Sequence, residues 1–172
     1  DSTYSISSFG EDEAGEPYLV HLGSGTNGVV YRITNPNAPA ESLASVSAAN
    51  YRSPLAREAI TAAFGANLAD VTQAGAIPLP TSLGGTQVTV TDSAGANRAA
   101  SLFFVSPTQV NYLVPSGTAA GMATVTITSW SGVVSRGTVQ INQVAPGLFT
   151  ANSNGRGVPA AVVERFRANG SH

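Results

Sequence analysis

Residues 102–115 read LFFVSPTQVNYLVP, and this run restricts the fold more than any other part of the chain. Leu102, Phe103, Phe104 and Val105 form an apolar stretch of the length of a buried strand. Pro107 fixes its own φ and biases Ser106 towards extended geometry, so the chain turns there. Beyond the turn, Val110, Tyr112 and Val114 alternate with Gln109, Asn111 and Leu113. That is the period of two expected of a strand with one face in a core. Pro115 ends the pattern. Much of the chain's aromatic and branched bulk sits here, which predicts a hairpin at the centre of a β core. Ser106, Gln109 and Asn111 have no acid, base or metal ligand recognisably placed beside them. Their expected role is to satisfy turn and edge backbone groups.

The flanking sequence repeats the same pattern. TQVTVT at 86–91 alternates with Val88 and Val90 inward, and Asp92-Ser93-Ala94-Gly95 turns the chain into a strand at 99–105. MATVTITSW at 122–130 puts Ala123, Val125 and Ile127 on one face and Thr124, Thr126 and Thr128 on the other. Residues 133–142 return with Val139 and Ile141 inward. A turn at 152–157 precedes a possible last strand at 160–167. Residues 53–60 look locally helical, with Ser53 as N-cap and Pro54 at the first helical position; a short helical turn feeding a strand at 60–64 is expected. Residues 68–83 read as loop.

Residues 1–34 read as a separate three-stranded β-meander, with strands at 4–9, 17–22 and 29–34. About 34 residues bury too little to stand alone, so this appendage needs a partner surface. Residues 35–45 contain Pro36 and Pro39 among small residues and read as a linker. The expected organisation is therefore a meander at 1–34, a linker at 35–45, a main domain at 46–150 and a terminal turn and strand at 151–172. Roughly six or seven short strands with regular turn signals make the main domain an all-β, antiparallel β-sandwich.

Composition narrows the function classes. Charged residues are 10% of the chain, against ~25% in typical domains, and every one of the eight basic residues is Arg. Ser and Thr together number 35, which suits an exported β protein with Thr and Ser on its exposed strand faces; a compositional habit of the lineage gives the same signal. The net charge is −2 and no basic patch occurs, so the footprint of nucleic-acid binding is missing. No apolar run approaches the ~18 residues of a membrane-spanning helix. Without cysteine, disulfides, thiol catalysis and thiolate metal sites all fall away.

Several residues invite a functional reading. Glu11, Asp12, Glu13 and Glu16 concentrate oxygen ligands that could hold Ca²⁺, but their spacing is not that of an EF-hand loop, and a solvated acidic turn is the simpler reading. His21 and His172 are the two histidines; neither has an identifiable nucleophile and orienting acid beside it. The Gly23-Ser24-Gly25-Thr26-Asn27-Gly28 run lacks the following helix and the Lys of a phosphate-binding loop, and reads as a β-turn. Asn169-Gly170-Ser171 is a glycosylation triplet of a kind that also arises by chance. Trp130 and Tyr112 could form an aromatic sugar-binding platform, but Trp130 closes a strand at a turn, and half-buried core packing is the favoured reading. No catalytic, cofactor-binding or metal residue is assigned.

Two stretches carry resemblances. Val46-Ser47-Ala48-Ala49-Asn50-Tyr51, Ala63-Phe64-Gly65-Ala66-Asn67-Leu68, residues 102–111, Val114-Pro115, residues 121–127 and Val144-Ala145-Pro146-Gly147-Leu148-Phe149-Thr150 occur in the order of a known family. By these motifs, residues 46–149 resemble the Solibacter-type uncharacterised C-terminal domain of exported bacterial proteins, related in pattern to TIG-type immunoglobulin-like domains. The resemblance implies an immunoglobulin-like sandwich with no assigned activity. Residues 8–16, Tyr18-Leu19-Val20 and Val30-Tyr31-Arg32-Ile33 are similar to the final blade of a glucose/sorbosone dehydrogenase-type propeller. Such a propeller uses a quinone cofactor, and one blade alone lacks the pocket for it.

These readings converge on a non-catalytic extracellular or cell-surface module for attachment or assembly, with no cofactor. Its expected partner is protein, either further copies joined head-to-tail into filaments by strand addition or other domains of a parent protein; a surface glycan is the other candidate. The alternatives are the C-terminal fragment of a quinone-dependent sugar dehydrogenase and a carbohydrate-binding module.

Overall fold

The computed structural model describes residues 6–11, 17–21, 28–33, 40–162 and 164. The chain divides into two units, Asp1–Pro39 and Ala40–His172. The described residues contain no helix, and the fold is all-β.

In the first unit, β1 (Ile6–Glu11), β2 (Pro17–His21) and β3 (Val29–Arg32) form one antiparallel sheet in the order β1-β2-β3. The expected meander is therefore present, with strand bounds shifted by up to two residues at each described end. Residues 12–16 and 22–27, expected to be its turns, lie outside the described residues.

The second unit carries β4 (Glu41–Ser47), β5 (Leu55–Ala56), β6 (Ile60–Gly65), β7 (Gln73–Ala74), β8 (Ser82–Leu83), β9 (Thr86–Thr91) and β10 (Asn97–Ala99). It continues with β11 (Ser101–Val105), β12 (Gln109–Leu113), β13 (Gly121–Thr128) and β14 (Val134–Asn142). Nine of these eleven strands form one path, β10-β9-β13-β14-β4-β6-β12-β11-β7, and the other two lie off it, β5 on β14 and β8 on β9. Two connections divide it into two arrays. Glu41 and Ser42 of β4 pair with β14 in parallel, whereas Leu43–Ser47 pair antiparallel with β6. On the other side the chain leaves β9's array after β10, passes through buried Ala100, and enters β12's array as β11.

Alternation explains which residues face inward. Val88 and Val90 of β9, Ala123, Val125 and Ile127 of β13, and Val139 and Ile141 of β14 are buried, as the period of two requires. So are Leu102, Val105, Val110, Tyr112 and Val114 of the hairpin that organises the sequence. Side chains from both arrays belong to one core cluster. Each fully buried Val, Leu or Ile contributes about 1.5–3 kcal/mol of apolar burial. β12 has β6 on one side and β11 on the other, so the hairpin occupies the middle of its array. Its turn closes through Ser106: the backbone N–H groups of Ser106 and Gln109 donate to Gln109 O and Ser106 Oγ, at 2.8 and 3.0 Å.

Four expectations need correction. Residues 41–45, read as the end of a linker, are the start of β4. Gly137 of β14 permits its close crossing: a Cβ there would stand 2.2 Å from the carbonyl oxygen of Leu43. The helical turn at 53–60 does not form. Leu55 is buried and pairs in parallel with Ile141, and Glu58 adopts a φ of 61°, so tertiary burial overrides local helix propensity. The strand expected at 60–64 is present as β6. The loop at 68–83 contains β7 and β8, two-residue strands too short to have a readable period. Residues 160–162 and 164 are not strand; instead Thr150 bridges antiparallel to Pro159. The rest of the expected last strand lies outside the described residues.

Candidate functional site

The aromatic pair singled out in the sequence is split by the fold. Tyr112 is fully buried between β6 and β11, donating its hydroxyl to Ser45 Oγ at 3.1 Å. Burial raises its pKa above the ordinary phenol value, against smaller opposing effects of Ser45 and Thr61. Trp130 is 79% exposed, which overturns the expectation of half-buried core packing. β13 ends at Thr128, and Gly132 N–H donates to Ser129 O at 3.0 Å. Trp130 thus rides on the corner of a turn rather than on a strand face. Its side chain lies against Gly85, where a Cβ would stand 2.6 Å from the indole Cε3.

The other sequence candidates do not gather into one place. His21 stands in β2 and Glu11 at the end of β1. Asp12, Glu13, Glu16, residues 23–27, Asn169-Gly170-Ser171 and His172 lie outside the described residues. Among the described residues no group of three or more His, Cys, Asp or Glu side chains is placed to hold a metal ion.

Sequence reading passed over Asp92, which the fold buries after β9. One carboxylate oxygen accepts the backbone N–H groups of Ala94 and Ala96, each at 3.0 Å. The other accepts Ala119 N–H at 2.9 Å and pairs with the Arg98 guanidinium. The Ala119 bond, with those from Ala96, Arg98 and Ala94, outweighs desolvation and holds the carboxyl at about 2 instead of 3.8. Three of the four donors are backbone amides. The arrangement therefore ties the 92–96 turn to the 115–120 loop and leaves the anion fully engaged. An Asp followed by Gly three residues later, in an Asp-Ser-Ala-Gly turn, was the available signal.

A second feature that sequence reading missed is a pocket of about 310 Å³ on the outward face of β6 and β12. Ala62, Gln109 and Asn111 line it from the sheet, with Tyr51 and Phe149 from the segments that cross over it. Tyr51 donates its hydroxyl to Ser153 O at 3.2 Å, which joins those two segments. Ala62 is buried although it lies on the side away from the core, opposite Asn111. Gln109 Nε2 donates to Asn111 Oδ1 at 2.9 Å.

The small sheet offers a third feature: backbone edges. Ile33 N–H donates to Pro17 O at 2.9 Å, so Tyr31 and Val29 also direct their backbone groups to β2, and Val30 directs its N–H and C=O to the open edge. Val30 and Phe9 are 62% and 66% exposed. Compared with known proteins, the chain matches no protein-family model, no curated protein and no solved structure.

Proposed function

We propose that the chain is an exported, non-catalytic attachment and assembly module. Its main body is an immunoglobulin-like β-sandwich of the Solibacter-type C-terminal family, and its small sheet joins a second copy by strand addition. The observation that carries this reading is the pair of open edges on the β1-β2-β3 sheet. Among the described residues β1 and β3 each pair on one side only, and both carry exposed apolar residues, Phe9 on one and Val30 on the other. Three strands form a layer of marginal independent stability, and unpaired N–H and C=O groups at an edge template a further strand.

The second copy is favoured as the occupant by charge. β1 ends in Glu11 and β3 ends in Arg32, the one charged residue of each strand. A junction of β3 with the next copy's β1 would pair a strand whose sequence carries one guanidinium with a strand whose sequence carries one carboxylate. Such a contact is head-to-tail, and repeated joining extends a filament wherever the rotation between copies does not close a ring. The immunoglobulin-like reading draws support from the two arrays that share β4 and from the single core cluster to which both contribute. The non-catalytic reading draws support from Asp92, whose carboxylate is engaged by backbone amides and Arg98.

Light scattering of the full chain across a concentration series tests this. The wild type should exceed the mass of one 17.4 kDa chain. Val30→Pro removes an N–H that points away from β2, and should give a monomer with the small sheet intact. A wild type that stays monomeric throughout contradicts the proposal.

A further inference from the structure

We infer that the pocket between β12 and the 149–153 segment binds a neutral sugar, with Gln109 and Asn111 as its hydrogen-bonding floor and Tyr51 and Phe149 as its stacking walls. This goes beyond the strand-addition reading, because the pocket lies wholly within the Ala40–His172 unit. Four features carry it.

The pocket holds about 310 Å³, at the small end of ligand sites. Its lining residues include no Asp, Glu, Lys, Arg or His, so a charged ligand would lose water without gaining a counter-charge. Its polar side chains are Gln109, Asn111, Tyr51 and Ser153; the Tyr51 hydroxyl already donates to Ser153 O, and the two amides share one bond, Gln109 Nε2 to Asn111 Oδ1. That internal bond fixes their orientation. It leaves Gln109 Oε1 as an acceptor and the Asn111 amide N–H groups as donors. Adjacent hydroxyls of a sugar both donate and accept, which matches such a mixed pair. A carboxylate or phosphate accepts only, and would waste the acceptor.

The walls fit the other half of a sugar's chemistry. Tyr51 and Phe149 are 46% and 50% exposed, and Phe103 also reaches the lining. An aromatic face is electron-rich, and the slightly positive C–H groups of a pyranose ring pack against it. Phe64 supports Tyr51 at a ring-centroid separation of 6.5 Å and a tilt of 41°. The aromatic surface thus continues past the pocket to Phe64 on β6.

The sites proposed from sequence cannot serve this role together: Tyr112 is in the core and Trp130 is exposed on its turn against Gly85. Saturation-transfer NMR and titration calorimetry of the full chain decide the matter, with glucose, galactose, mannose, N-acetylglucosamine and cellobiose as probes. At least one should bind in the millimolar range or tighter. Asn111→Ala and Phe149→Ala should each weaken it by about tenfold or more. Asn111→Asp keeps the size of the side chain while replacing its donors, and should weaken binding equally; unchanged thermal midpoints would establish that the variants fold. Trp130→Ala and Val30→Pro should bind as the wild type does. Failure of all five sugars to bind overturns the inference. So does binding that survives Asn111→Ala and Phe149→Ala, or that is lost in Trp130→Ala. Oligomer formation that depends on Phe149 without any sugar binding would assign the pocket to a second copy instead, and likewise overturn it.

Discussion

The outermost strands of the large sheet, β10 and β7, have three and two residues, whereas those of the small sheet, β1 and β3, have six and four. Both units are sheets and both have edges, but the chain treats them differently. In the large unit the edges are cut short, and β4 and Ala100 carry the chain from one array to the other. Very short edges offer a neighbouring strand little to pair with. In the small unit the edges run the full length of their strands and expose Phe9 and Val30. The proposed strand addition rests on this difference: the longer edges, with exposed apolar residues, belong to the small sheet.

Truncation inside the large unit probes the strongest side of that contrast. Tyr112→Ala empties the centre of β12 and leaves Ser45 Oγ without the phenol. Denaturant unfolding should register a loss of about 3–5 kcal/mol, the range for large aromatic truncations in a core. A loss below about 1 kcal/mol would remove β12 as the centre of the array.

Asp92 gives a prediction in pH. Its folded pKa of about 2 lies below the unfolded 3.8. The stabilisation is therefore complete above pH 3.8 and fades as pH falls from there towards about 2. Asp92→Asn should lower the thermal midpoint at neutral pH, and the gap to wild type should narrow below pH 3.8. A gap that stays constant down to pH 2 would mean that the carboxylate's charge contributes nothing.

Phe9→Ala should do least to stability. Phe9 is exposed, so the change should stay within about 0.5 kcal/mol, while self-association weakens measurably by light scattering. Loss of stability without loss of association would reverse the contrast.

Much of the large unit was legible because β9, β12, β13 and the second half of β14 alternate between apolar residues and Thr, Gln or Asn. β4 was not, because its Ser and Ala residues gave no apolar signal, and the close pass of Leu43 by Gly137 of β14 is one a linear pattern does not encode. Residues 53–60 read as helix because propensity is local, whereas the burial of Leu55 against β14 is not. Trp130 was misjudged because a residue just past a strand inherits no face from it. The pocket was invisible for a different reason: Tyr51, Asn111 and Phe149 are far apart in sequence and meet only when the 149–153 segment crosses β12. Gln109 and Asn111 were noticed, but as polar positions of a hairpin and not as the floor of anything.

The contrast between the two edges rests on one amide. Hydrogen exchange of the full chain, followed by NMR at increasing protein concentration, reports on Val30 N–H directly. The account predicts that Val30 gains protection as concentration rises while Val110, in the middle of β12, is protected to the same degree throughout. A Val30 amide that exchanges equally fast at every concentration would contradict it.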